Sequence, residues 1–102
     1  MRCLFLLGGG TPGTIEVGFA VPKRLGKAVK RNRARRLMRE AFRREETALT
    51  RGLGAAQCSA RVVFVLKTPS STHDLGRMQF AGVHRDMTQL VAAVVSAAHA
   101  RT

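Results

Sequence analysis

The sequence predicts a small α+β domain, a mixed sheet with helices packed on it, and three patterns carry that prediction. Residues 14–21 alternate between apolar and other residues with a period of two. Residues 62–66, VVFVL, form a short apolar run, and two longer segments repeat apolar residues at helical spacing. At 102 residues, 45% of them hydrophobic, the chain can build one core and is too short for two domains.

Residues 2–7 read as a first strand, with Cys3, Phe5 and Leu7 on one face. Gly8, Gly9, Gly10, Pro12 and Gly13 form a flexible turn. In the second strand, residues 14–21, Ile15, Val17, Phe19 and Val21 alternate with Glu16, Gly18 and Ala20. The turn between the two strands predicts a hairpin. Pro22 lacks an N–H, so the strand ends there or lies at an edge, and Gly26 serves a turn.

A helix is expected over residues 27–47. Ala34, Leu37, Met38, Ala41 and Phe42 fall on one face, and Asn32, Arg36, Arg39 and Arg43 fall on the other, with Arg31 and Arg35 along the border. Residues 51–60 read as a Gly- and Ala-containing connector. Residues 61–67 read as a buried third strand, and 68–72 as a Pro/Ser-rich loop. A last helix over residues 81–98 buries Val83, Met87, Leu90, Val91, Val94 and Val95, and the residues after His99 fray. Phe19, Phe42 and Phe64 are read as core.

Charge narrows the function. Eighteen Lys and Arg face six Asp and Glu, a net +12. Self-repulsion on that scale opposes a compact state unless an anion answers it. No apolar run reaches the roughly 18–20 residues of a membrane span, and the apolar start before Gly8 is too short for a signal-peptide core of about 7–15 residues. A membrane is therefore not an expected partner, and the expected location is the cytoplasm. Cys3 and Cys58 are far apart and read as reduced, buried thiols. His73, His84 and His99 show no metal spacing with them. Asp74 and Asp86 are isolated, so the chain offers neither a metal-binding set nor a carboxylate cluster for phosphodiester hydrolysis, and no catalytic residue is assigned.

Eleven of the eighteen bases lie between Lys23 and Arg44, against one acid, Glu40. Like charges at i,i+4 each destabilise a helix by a few tenths of a kcal/mol. Arg36, Arg39 and Arg43 accept that repulsion on a single stripe, whereas a merely solvated face mixes signs. Arg outnumbers Lys eight to three in this stretch. Its planar guanidinium binds phosphate bidentately and stacks on bases, which points to defined contacts with a folded nucleic acid. A helix-turn-helix would place a short helix just before the basic one. Here a strand, IEVGFAV, precedes it, so RNA is favoured over DNA.

The ordered string VGFAVPKRLGKAVKRNRARRLMREAFRRE, Val17 to Glu45, resembles the signature of the bacterial ribonuclease P protein family. The match runs in register from Val21 and Lys23 through Gly26, Ala28, Val29, Arg31, Asn32 and Arg33 to Arg36, Arg39, Glu40 and Phe42. The later VVFVLKTPSS resembles the family's next strand and its Lys/Arg-x-Pro loop. The resemblance implies a ribosomal protein S5 domain 2-like fold with the element order αβββαβα. It also implies one protein subunit per catalytic RNA, and an enzyme only as the holoenzyme. The RNA subunit then holds the Mg²⁺ and cuts the 5′ leader from precursor tRNA. The protein binds both RNAs, taking the leader in a cleft between the sheet and the first helix.

Carried over to this sequence, Arg31, Asn32 and Arg33 match the motif that contacts the catalytic RNA and helps organise metal near the substrate. Arg35, Arg36 and Arg39 match basic positions on the same helix, and Lys23 matches the strand-end base. Arg24, Lys27, Lys30 and Arg43 complete the RNA-binding set. Phe5 sits where the family often has an aromatic facing the leader cleft, and it also reads as a core residue. The chain departs from the family in three places. It begins inside the first strand, without the family's first helix, which is read as a late start-codon assignment. Pro22 replaces a small residue, and residues 73–82 align poorly. The alternative reading is a structural RNA-binding protein, ribosomal-protein-like, with no role in cleavage.

Overall fold

The computed structural model describes residues 1–66 and 79–101. The expected Pro/Ser loop, Lys67, His73 and Asp74 lie outside them. The element order is β1 (Arg2–Gly8), β2 (Ile15–Ala20), a short 3-10 turn (Lys23–Leu25), α1 (Ala28–Ala55), β3 (Ser59–Val65) and α2 (Phe80–Ala100). The architecture is the expected α+β one, a mixed three-stranded sheet with two helices.

The strand pairing corrects the hairpin expectation. β1 and β2 do not pair, because β3 lies between them, antiparallel to β1 and parallel to β2. β3 is the strand best suited to the centre, since Ala60, Val62 and Phe64 are all buried. Parallel pairing of β2 with β3 needs a long crossover, and α1 supplies it. The Gly-rich turn then has two strand spacings to span, about 10 Å, well within the reach of residues 9–14. It crosses the end of β3, where Gly13 N–H donates to Cys58 O at 3.0 Å and Ala60 N–H to Thr14 O at 3.0 Å.

Register puts Cys3, Phe5 and Leu7 of β1 level with Phe64, Val62 and Ala60, on the face that the helices cover. The other face carries Leu4, Leu6 and Val63, all exposed, beside an exposed Glu16–Arg61 ion pair at 3.0 Å. On the helix side, Phe64 meets Phe19 at 5.8 Å and Phe42 at 5.6 Å, and Phe19 meets Phe42 at 5.9 Å. These three rings fasten α1 to β2 and β3, each pair contributing about 0.5–1.5 kcal/mol beyond burial. Phe64 and Phe42 are buried as expected, and Phe19 is half-buried. Cys58 is buried, and Cys3, half-buried, has its thiol pKa pushed up to about 11 by desolvation.

α1 runs eight residues past its expected end, through much of the supposed connector. Gly52 and Gly54 look like breakers locally, but Leu49 and Leu53 continue the buried stripe of Ala34, Met38, Ala41 and Phe42. Packing on α2 outweighs the helix propensity lost at two glycines. The helix closes in a Schellman arrangement, with Cys58 N–H donating to Leu53 O, Gln57 N–H to Gly54 O, and Gln57 left-handed at φ 58°. β3 accordingly starts two residues earlier than expected. The contacts Glu45–Thr88 and Gly52–Val95 advance together along both helices, so α1 and α2 run parallel. α2 buries Val83, Met87, Val91, Val94 and Ala98, with Leu90 and Val95 half-buried. It ends at Ala100, one residue past His99, and Arg101 Nη1 donates to Gly8 O at 3.3 Å.

Candidate nucleic-acid interface

The basic residues gather on one continuous surface because α1 starts directly after the turn that carries the first of them. Lys23, Arg24 and Lys27 stand in that turn, and Lys30 is exposed in the first turn of the helix. No acid stands in that first turn. Cations at the positive end of a helix dipole each cost a few tenths of a kcal/mol, and the dipole adds to their field, so this end attracts anions.

Gly26 adopts φ 156° and ψ −175°, a conformation essentially confined to glycine. Its carbonyl accepts from Arg31 Nε at 3.1 Å, which ties the guanidinium of Arg31 to the turn. Further along, Asn32, Arg36, Arg39 and Arg43 lie on the side opposite Ala34, Met38 and Ala41. Asn32 Oδ1 accepts from Arg35 Nη2 at 2.8 Å, so Asn32 orients one base of the stripe as well as presenting its own amide. Arg33 and Arg35 are half-buried on the two borders. Arg39 lies 5.7 Å above the Phe19 ring, within cation–π range. Arg39 and Arg43 line a shallow groove of about 330 Å³ with Val17, Phe19, Phe42 and Glu46 along the outer edge of β2.

The eleven residues of the expected RNA-binding set, ten bases and Asn32, thus lie on one helix and the turn before it. Phe5 lies apart, on β1, at the opposite edge of the sheet from β2. It is 36% exposed, on the helix-covered face beside Val62. Among the described residues no three His, Cys, Asp or Glu side chains converge to hold a metal ion, and no helix is long and apolar enough to cross a membrane.

One cluster has no signal in the sequence. Arg44 of α1 lies 4.7 Å above the ring of Phe80, and His84 stacks on the same ring at 5.5 Å. Glu45 joins α1 to α2 there, facing His84 Nε2 at 3.6 Å and accepting from the Thr88 hydroxyl. Nothing local announces these contacts, because they depend on how two helices far apart in sequence come together.

The sequence profile of the ribonuclease P family matches residues 3–95, which includes both strands before the basic helix, the helix itself and most of α2. The chain belongs to the ribonuclease P family. The ribonuclease P protein components of two Chloroflexus aurantiacus strains, J-10-fl and Y-400-fl, are each 45% identical to it over 56 residues. That stretch is 55% of this chain and 36% of each relative, so the match spans about a third of the relatives' length. No solved structure matches the chain. Within the ribonuclease P family frame, the Arg-Asn-Arg tripeptide is residues 31–33, at the start of α1, with Arg36 and Arg39 one and two turns further on.

Proposed function

We propose that this chain is the protein subunit of a cytoplasmic ribonuclease P ribonucleoprotein, one copy per catalytic RNA. It binds that RNA and the precursor tRNA, and it assists Mg²⁺-dependent removal of the 5′ leader. The observation that carries the reading is the run of ten bases on α1 and the turn before it, with Glu40 the one acid among them, in a chain of this family. From the turn to Arg43 it presents Lys23, Arg24, Lys27, Lys30, Arg31, Arg33, Arg35, Arg36, Arg39 and Arg43, with Asn32 among them. Two RNAs repel through their phosphates, and a fixed row of cations lying between them offsets that repulsion and releases counterions.

Cleavage is assigned to the RNA subunit, which holds the Mg²⁺. The ion supplies activated water and charge neutralisation at the scissile phosphate. This chain contributes binding and orientation: Arg31 stays anchored to the Gly26 carbonyl, and Asn32 and Arg35 hold each other in place. Phe5 is the candidate contact for the leader.

Binding of the chain to the catalytic RNA over a range of salt concentrations tests the stripe. Replacing Arg31, Arg33 and Arg36 with Ala is expected to weaken binding and to flatten the slope of log K against log salt by about 2–3, roughly 0.7–0.9 for each phosphate that is no longer neutralised. An unchanged slope and affinity in the triple variant would refute this use of the helix. Co-sedimentation with ribosomes, and none with the catalytic RNA, would favour the structural RNA-binding reading instead.

A further inference from the structure

Arg44 stands about 140° around α1 from Arg39, five residues away at roughly 100° per residue, so it belongs to a different flank of the helix. On that flank its guanidinium lies 4.7 Å above the Phe80 ring. His84 stacks on the same ring at 5.5 Å with 9° between the planes, and His84 is itself held toward Glu45 at 3.6 Å. An ordinary surface Arg loses considerable rotamer freedom when it binds. Arg44 is already ordered on an aromatic ring by its cation–π contact. An open pocket of about 380 Å³ beside it is lined by Glu40, Arg43, Arg44 and Phe80.

The chemistry of this pocket is selective. A guanidinium resting on an aromatic ring offers its outer face as a platform for a base. Arg43 offers charge for a phosphate. Glu40 repels phosphate and accepts hydrogen bonds, so it favours a donor-bearing base edge or ribose hydroxyl over a phosphate, and of these a base edge with two adjacent N–H donors satisfies both of its oxygens. Guanine presents a ring N–H and an amino group side by side, which a carboxylate accepts together. Uracil has one ring N–H between two carbonyls and fits poorly.

We propose that this pocket holds one unpaired guanine of an RNA, its base stacked on Arg44, its Watson–Crick edge on Glu40 and its phosphate on Arg43. The proposal rests on the reading of the chain as an RNA-binding protein and adds a base contact at the edge of the basic stripe, with Arg43 shared between the two.

The test measures binding of the full chain to a fluorescent short oligouridylate with one central guanine, and to the same oligomer without it. Wild-type protein is expected to prefer the guanine probe. Arg44→Lys keeps the charge and removes the plane, and is expected to weaken binding of the guanine probe about fivefold or more. Glu40→Gln is expected to erase the preference for guanine. Circular dichroism melts confirm that each variant is folded. Arg44→Lys binding as wild type, or a guanine preference that survives Glu40→Gln, would overturn the assignment. Arg36→Ala, assayed on the catalytic RNA, separates the two readings. If it weakens binding there while Arg44→Lys leaves the probe unaffected, only the guanine site is lost; if neither substitution matters, both readings fall.

Discussion

The seam between α1 and α2 makes a sharp prediction at Gly52. A Cβ placed on Gly52 would lie 2.6 Å from Val95 Cγ1, 2.7 Å from Cγ2 and 3.2 Å from Cβ. Carbon atoms prefer separations of about 3.5–4.0 Å, so both methyls are about 1 Å too close. Rotating Val95 does not help, because its Cβ is itself crowded. The helices must therefore separate, and overpacking of this kind costs about 1–3 kcal/mol. Against that, replacing an interior helical Gly with Ala gains about 0.8–1.0 kcal/mol of helix propensity. The two terms leave Gly52→Ala destabilised by about 1 kcal/mol, or about 4–8 °C in Tm for a domain near 100 residues.

Val95→Ala alone removes up to two methyl groups of partial burial, at most about 1.6 kcal/mol. In the double variant the two worst clashes disappear and the propensity gain remains. The double-mutant cycle should then show a favourable coupling of at least about 1 kcal/mol, read from urea or thermal unfolding. Simple additivity, or a Gly52→Ala variant more stable than wild type, would refute the close approach of these helices at this point.

Four further predictions come from other parts of the structure. Gln57 holds φ 58° at the end of α1, so Gln57→Gly is expected to raise stability by about 0.5–1 kcal/mol, visible as a higher Tm. Phe64 is fully buried and Leu6 is 71% exposed on the outer sheet face, so Phe64→Ala should cost about 3–5 kcal/mol and Leu6→Ala less than about 0.5 kcal/mol by chemical denaturation. Arg39→Ala should loosen Phe19 as well as RNA, lowering Tm slightly at any salt, whereas Arg36→Ala should change RNA affinity alone. Burial raises the Cys3 thiol from an ordinary 9.0 to about 11, so its contribution to stability is fully present below pH 9 and is lost as pH rises through 11. Cys3→Ala should flatten that alkaline loss, and an unchanged alkaline profile would contradict it.

Much of the molecule can be read from residues close together in the chain. The buried stripe of α2 and the opposed basic and apolar faces of α1 need only helical periodicity. Residues 15–20 and the apolar run in β3 need only strand length and alternation. The failures all involve distant partners. A Gly-rich turn after an apolar strand reads as a hairpin, and only the burial requirement of Val62 and Phe64 puts β3 in the middle. Gly52 reads as a helix breaker until Val95 is packed against it. Arg44 reads as one more surface charge until α2 brings Phe80 beneath it. In the candidate interface, the cations were legible because they share one helix. The hydrogen bond from Arg31 to Gly26 and the stacking of Arg39 on Phe19 were not, because side-chain partners are set by how the turn and β2 meet α1.

The most direct test of the proposed function is cleavage of precursor tRNA by the catalytic RNA at low Mg²⁺, with and without this chain. Adding the chain is expected to restore removal of the 5′ leader, and the Arg31, Arg33 and Arg36 triple-Ala variant to restore much less. A chain that neither binds the catalytic RNA nor changes its cleavage rate would contradict the proposed function.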